Sequence, residues 1–288
     1  MEKNNSYGLD WWANSEHGGG FPRDAASSGL DLGVTNYWDA ITPNPIIGTV
    51  KASGGHQVMW RWQSLRDYSF AQVQIARALY PNKTILQSLE WNVPGHEHGS
   101  MGVIANQFDT NPNCNPIAEF EYKFDNSDSD FDGGATQGWV KSTLSGHAKT
   151  LEAIAWLQSN YQKKSYVVPA HPERQRSYKI NHFRDMNNAD QMFVLVLKVC
   201  RVTKIIRSWC YSSSADGGGT YGGCGIYAAE IGGLWDAMLS EGRGFWLFCQ
   251  IQIIMLMMAI SIRVNIKNIY SCYPENERSS YCRWFTFG

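Results

Sequence analysis

The residues best suited to chemistry lie in the stretch Leu89-Glu90-Trp91-Asn92-Val93-Pro94-Gly95-His96-Glu97-His98-Gly99-Ser100. A carboxylate, Glu90, is followed within a few residues by two imidazoles, His96 and His98. Neutral imidazole and carboxylate are ordinary ligands for zinc, manganese or iron. The alternative is a surface turn whose histidines are simply solvated. Two further histidines fall where a strand should give way to a loop. His17 follows Glu16 and precedes Gly18-Gly19-Gly20, and His171 stands in Ala170-His171-Pro172. A single strand-end histidine is commonly structural; three in one α/β chain form a constellation. Other candidates lie nearby in sequence. Arg174 and Arg176 can grip a phosphate bidentately or be solvated surface cations. His56, in Ser53-Gly54-Gly55-His56, can line the mouth of a site or cap a helix start. Asp128, Asp130 and Asp132, in Asp128-Ser129-Asp130-Phe131-Asp132-Gly133, match the opening of a calcium loop. The twelfth position of that loop would be Trp139 instead of a bidentate Glu, so a solvated acidic turn is the competing reading.

The elements that must position these residues are legible in part. Gly8–Ala13 reads as a strand ending in Asn14-Ser15-Glu16-His17. Residues 21–55, rich in Gly, Pro, Asn and Ser, read as a long irregular insertion. Gln57–Leu79 has helical character, with Trp60, Leu65, Phe70, Val73 and Ala76 on a buried stripe. Thr84-Ile85-Leu86 with Leu89 predicts a short buried strand, and Pro94-Gly95 a turn. Residues 105–140 are polar and loop-like. Lys149–Tyr161 is the clearest amphipathic helix, with Leu151, Ile154, Ala155 and Leu157 inside. Ser165–Ala170 is a strand. Gly217–Gly225 precedes a helix over Ile226–Leu239 and reads as a tight turn.

Composition bounds the function classes. A chain of 288 residues fits one large core, and a net charge of -1 with 18% charged residues gives no electrostatic case for nucleic acid. An aromatic content of 13%, with twelve tryptophans, indicates a packed globular protein. Seven cysteines, with no CxxC pair, do not fix a redox compartment.

Taken in order, Gly8-Leu9-Asp10 through Glu16-His17, then Glu90 with His98, then Ala170-His171-Pro172 resembles the PHP (polymerase and histidinol phosphatase) family of metal-dependent phosphoesterases. The similarity spans most of residues 8–193 and 211–247. It implies an α/β fold, a distorted (β/α)7-type barrel with two or three divalent ions (Zn, Mn or Fe) at the carboxyl ends of its strands. It further implies a small phosphorylated substrate. On the resemblance His17, Glu90, His98 and His171 are metal ligands. Glu16, His56, His96, Arg174 and Arg176 are outer-shell or substrate candidates. Glu16 replaces the family's usual aspartate, and the H-x-H of the opening strand is missing. The resemblance places that strand upstream of Met1, so no signal peptide is legible before Tyr7 and the compartment is not readable.

Two segments differ in character from the rest: Met192–Arg207 and Cys249 to the end. Phe245–Val264 is close to the length of a membrane helix, though two glutamines interrupt it; a buried strand or helix is the other direct reading. The genetic code offers a third. When the third base of each codon is joined to the first two of the next, Val194–Thr203 admits F-G-F-E-G-L-P-G-H-Q. From Cys249 the same shift admits P-N-S-D-Y-H, and Met257–Ala259 forces D-G. S-D-x-H resembles the family's last metal motif. The expectation is therefore a PHP-like domain over 1–248, with 193–207 out of frame, and an out-of-frame tail over 249–288. Both ends of the barrel and part of the metal site would then be missing. The alternatives are another metal-dependent amidohydrolase, or a non-catalytic product tethered by its apolar tail.

Overall fold

The computed structural model describes residues 2–19, 38–40, 43–53, 55–103, 115–170, 178–189, 194–199, 233–251, 269–272 and 282–285. In chain order these form α1 (Glu2–Ser6), β1 (Trp11–His17), a 3-10 turn at Trp38–Ala40, β2 (Lys51–Ser53), β3 (His56–Val58) and α2 (Arg61–Ser64). A π-turn over Leu65–Ser69 carries α2 into α3 (Phe70–Leu79). Then come β4 (Thr84–Asn92), β5 (His98–Val103), α4 (Pro116–Phe124), a 3-10 turn at Gly134–Gln137, α5 (Gly146–Tyr161) and β6 (Ser165–Pro169). The remaining elements are α6 (Ile180–Ala189), β7 (Val194–Val199), α7 (Leu234–Ser240), β8 (Phe245–Ile251), β9 (Ile269–Cys272) and β10 (Cys282–Phe285). The fold is mixed α/β. One four-stranded sheet has the order β1-β4-β5-β6, another β10-β9-β8-β7, and β2-β3 form a hairpin. Among the described residues these sheets do not close into a barrel.

The chain divides into two compact units, residues 1–95 with 100–153, and residues 96–99 with 154–288. In the first, β4 is the central strand, with Ile85 through Leu89 buried on both faces. It runs parallel to β1 in the register Trp11↔Thr84 to His17↔Glu90. Trp12 and Ile85 pack on Val73 and Ala76 of α3. Trp60, Trp62, Trp91, Phe120 and Tyr122 fill the core, each at most 1% exposed. The buried indoles are satisfied: Trp62 Nε1 donates to Asp130 Oδ2 at 2.7 Å, and Trp91 Nε1 donates to the Phe124 carbonyl at 3.1 Å.

In the second unit, Phe183 and Met186 of α6 and Leu234 and Met238 of α7 are buried. Asn187 Nδ2 donates to the Gly244 carbonyl at 2.9 Å, and Glu241 joins Arg184 and Arg243 in an ion-pair network. β7 pairs parallel with β8, β8 antiparallel with β9, and β9 antiparallel with β10, so this sheet is mixed.

Several elements differ from their sequence expectation. β1 begins at Trp11 and continues through His17, because the ladder with β4 extends to Glu90 and draws Asn14-Ser15-Glu16 into the strand. Gln57 and Val58 belong to β3, so the helical stretch starts at Arg61. The polar stretch over 105–140 contains α4. Asn115 caps it, accepting from the amides of Ile117 and Ala118, and Pro116 occupies the first turn, where a missing N–H costs nothing. On α5 the inward residues are Ala153, Ile154 and Leu157, while Ala155 is exposed. Residues 245–251, the start of the stretch long enough for a membrane helix, form strand β8. Phe, Trp and Ile there favour the extended chain, and β7 supplies the pairing. No helix among the described residues is long and apolar enough to cross a membrane. Residues 200–232 and 252–268 lie outside the described residues, as do the helix expected over 226–232 and most of the tail.

Candidate metal site

His17 and Glu90 are brought together by register. Paired residues on adjacent parallel strands project to the same face, so the last residue of β1 stands beside Glu90 near the carboxyl end of β4. The chain then turns under constraint. The Gly18 amide donates to the Glu90 carbonyl at 2.7 Å. A Cβ at Gly18 would fall 2.2 Å from Asp125 Oδ2 and 3.2 Å from that carbonyl, so only glycine fits. Asp125 is fully buried and accepts from Asn92 N at 3.0 Å, from Asn92 Nδ2 at 3.0 Å and from Ser127 N at 2.8 Å. It thereby holds the end of β4 in place. Burial raises its pKa, and the Asn92 and Ser127 amides oppose that rise.

His98 opens β5. Its carbonyl accepts from Ala170 N at 2.8 Å and from the Tyr178 hydroxyl at 3.4 Å. Burial, and secondarily the Glu97 carboxylate, push the Tyr178 hydroxyl pKa up, so that group remains a neutral donor. His17 is exposed, and Glu90 and His98 are half-buried.

The tautomers suit a metal. His17 Nδ1 is 2.6 Å from the Gly18 carbonyl, which can only accept. The hydrogen therefore sits on Nδ1, so a metal bond from this ring would be made by Nε2. His98 Nδ1 lies 3.4 Å from Glu97 Oε2, an ion-pair distance. Two nitrogens and a carboxylate oxygen are a donor set for zinc, manganese or iron.

Two further histidines, His96 and His182, meet within the second unit. His96 stacks on Tyr178, ring centroids 4.3 Å apart, and meets His182 edge-on at 4.6 Å. His182 Nδ1 accepts from the Lys179 amide at 3.2 Å. Its hydrogen must then sit on Nε2, which makes this pair a poor metal site.

The other sequence candidates are placed elsewhere. Glu16 projects to the face of β1 opposite His17, and its Oε2 lies 3.4 Å from Arg61 Nη1. His56 faces Asp39, with Nδ1 3.3 Å from Oδ1. The Gln57 amide and then His56 hold the Asp39 carboxyl below the usual range, against partial desolvation. Asp130 accepts at Oδ1 from the amides of Asp132 and Gly133, and at Oδ2 from Trp62 and Gly134. Asp132 binds Thr49 N at 2.8 Å and Thr49 Oγ1 at 2.6 Å, which holds its pKa down to about 2. Asp128 Oδ1 accepts from Asp130 N and from Lys141. The Asp128, Asp130 and Asp132 carboxylates thus serve as turn and packing acceptors for protein donors. His171, Arg174 and Arg176 lie outside the described residues.

Glu97, Asp125 and His182 were not legible as site residues. Glu97 could have been found from its place beside His98; the others are distant in sequence and depend on the tertiary fold. No protein-family model, curated protein or solved structure matches this chain.

Proposed function

We propose that the chain derives from a metal-dependent hydrolase of the PHP type, acting on phosphoester bonds, with His17, Glu90 and His98 as surviving metal ligands. The observation that carries this reading is the register that sets His17 beside Glu90, with the His17 Nδ1 hydrogen turned onto its own Gly18 carbonyl. A divalent ion held there supplies Lewis acidity: it lowers the pKa of a coordinated water toward neutrality and offsets charge on a phosphoryl group. The chain's own part is positional. The β1–β4 register sets His17 beside Glu90, Glu97 lies beside the His98 ring, and Gly18 lets the chain turn against Asp125 and the Glu90 carbonyl.

Activity should be poor. The opening strand β1 carries no H-x-H and the chain as written contains no S-D-x-H, both of which the family resemblance calls for, and a site short of ligands holds its ion weakly. Frame slips, a compensated pair around 193–207 and one near Phe248, account for the loss. The test is hydrolysis of a phosphomonoester with added Mn²⁺ or Zn²⁺, repeated after chelation and with Glu90→Gln. Slow, metal-dependent turnover that the substitution removes supports the reading. Turnover indifferent to both chelator and Glu90→Gln overturns it.

A further inference from the structure

Beneath the turn that follows His17 lies a group of buried carboxylates that the metal site does not use. Glu121, Asp125 and Asp130 are 0% exposed and Asp128 is 5% exposed. Among the described residues, two lysines face them. Lys141 Nζ is divided between the Tyr122 carbonyl at 2.8 Å and Asp128 Oδ1 at 3.1 Å, and Lys149 Nζ reaches the Asp125 carbonyl at 3.3 Å.

Protein donors satisfy Asp125 and Asp130 completely. The remaining two carboxylates are each half-satisfied. Glu121 Oε1 accepts from Gly19 N at 3.2 Å, and Asp128 Oδ1 accepts from Asp130 N at 2.7 Å and from Lys141. This leaves Glu121 Oε2 and Asp128 Oδ2, both buried, with no protein donor. An ionised carboxylate oxygen in that position is costly. A cation could relieve the cost. However, the groups of three ligands found among the described residues include neither Glu121 nor Asp128. A proton relieves it with the atoms already present.

We propose that Glu121 and Asp128 share one proton, and that this carboxyl pair, through Glu121 Oε1 and the Gly19 amide, fixes the segment after His17, making Glu121 a positioning residue for the metal site. The O–H lies on Glu121 Oε2 and donates to Asp128 Oδ2. Direction of titration agrees. Burial, then the negative charge of Asp128 and Asp125, raises Glu121 well above the ordinary carboxyl range. Burial likewise raises Asp128 to about 6, against the pull of Lys141. The link to His17 rests on the metal-site reading above; the shared proton does not.

The experiment uses the full chain and two readouts. Infrared spectroscopy at pH 7 should show the carbonyl stretch of a neutral carboxylic acid, and Glu121→Gln and Asp128→Asn should each remove it. Its absence from the parent chain overturns the shared proton. Mn²⁺ or Zn²⁺ affinity is then measured against pH. Glu121→Ala should lower affinity about 10–100-fold, the usual loss for an outer-shell partner of a ligand. Glu121→Gln, whose amide can accept from Gly19 and donate to Asp128, should restore affinity and remove its decline at rising pH. Affinity unchanged in Glu121→Ala overturns the positioning role. If no form of the chain binds metal while the infrared band is present, the metal-site reading fails and the proton pair stands.

Discussion

Gly18→Ala is the sharpest structural perturbation of the candidate site. The added methyl would sit 2.2 Å from Asp125 Oδ2, 3.1 Å from Asp125 Cγ and 3.2 Å from the Glu90 carbonyl. Carbon and oxygen do not approach to 2.2 Å without a bond, so one partner must move. Neither can do so cheaply. The Glu90 carbonyl is on the central strand, and Asp125 is fixed by Asn92 and Ser127. Overpacking a rigid site costs about 1–3 kcal/mol. Leaving one buried acceptor or donor unsatisfied adds about 1–3 kcal/mol. The expected destabilisation is therefore about 2–6 kcal/mol. Urea unfolding followed by tryptophan fluorescence measures it, since twelve tryptophans report on the core. Asp125→Ala removes the clashing carboxylate, so the double variant should be more stable than the sum of the singles predicts, by about 1–3 kcal/mol. A Gly18→Ala chain within about 0.5 kcal/mol of the parent, the range of an ordinary surface substitution, would refute the account of this turn. So would strict additivity in the double variant.

Further outcomes can be checked alongside. Gly95→Ala should cost about 1–3 kcal/mol in the same urea assay, because Gly95 has φ +78° and its Cβ would press on the Gly146 and His147 backbone at 3.0 Å. Trp91→Ala should cost about 3–5 kcal/mol, since the indole is fully buried and its Nε1 is bonded to Phe124. Because Asp128 is raised in the folded state to about 6, its contribution is fully present below its ordinary value of 3.8 and is lost as pH rises through about 6. Stability measured from pH 4 to 7 should fall more steeply in the parent than in Glu121→Gln; a steeper fall in the variant would contradict the assignment. Asp132 is held down to about 2, so what Thr49 contributes is present above 3.8 and lost as pH falls toward 2. Thr49→Val should flatten that acid limb of the stability profile.

The extent to which the sequence could be read depended on how local each signal was. β4 was visible because Ile85, Leu86 and Leu89 make an apolar run bounded by Asn82 and Pro94. The turn at Gly95 and the helix over 149–161 were equally local. His17, Glu90 and His98 could be singled out from residue type and order, but the placing of His17 beside Glu90 depends on the register of β1 against β4, which no spacing encodes. α4 was missed because Glu119, Glu121 and Lys123 disguise a helix whose apolar residues line the core and whose start is set by the Asn115 cap. Ala155 was assigned inward because alanine carries little face preference; the neighbouring Ala153 is the one against the core. His182 stands near the start of a helix, where an isolated histidine gives no sign of a partner. The buried carboxylates Glu121 and Asp125 looked like solvated acids in sequence, and only the surrounding indoles and amides reveal otherwise.

The central claim is a divalent-metal site built on His17, Glu90 and His98, and equilibrium titration of the metal-free full chain with Mn²⁺ or Zn²⁺ tests it most directly. Binding should be measurable and weak, and His17→Ala, Glu90→Gln and His98→Ala should each abolish it. His56→Ala, which removes a partner of Asp39, should leave it unchanged. Binding that survives Glu90→Gln and is lost instead on His182→Ala would place the ion at the other histidine pair and contradict the account.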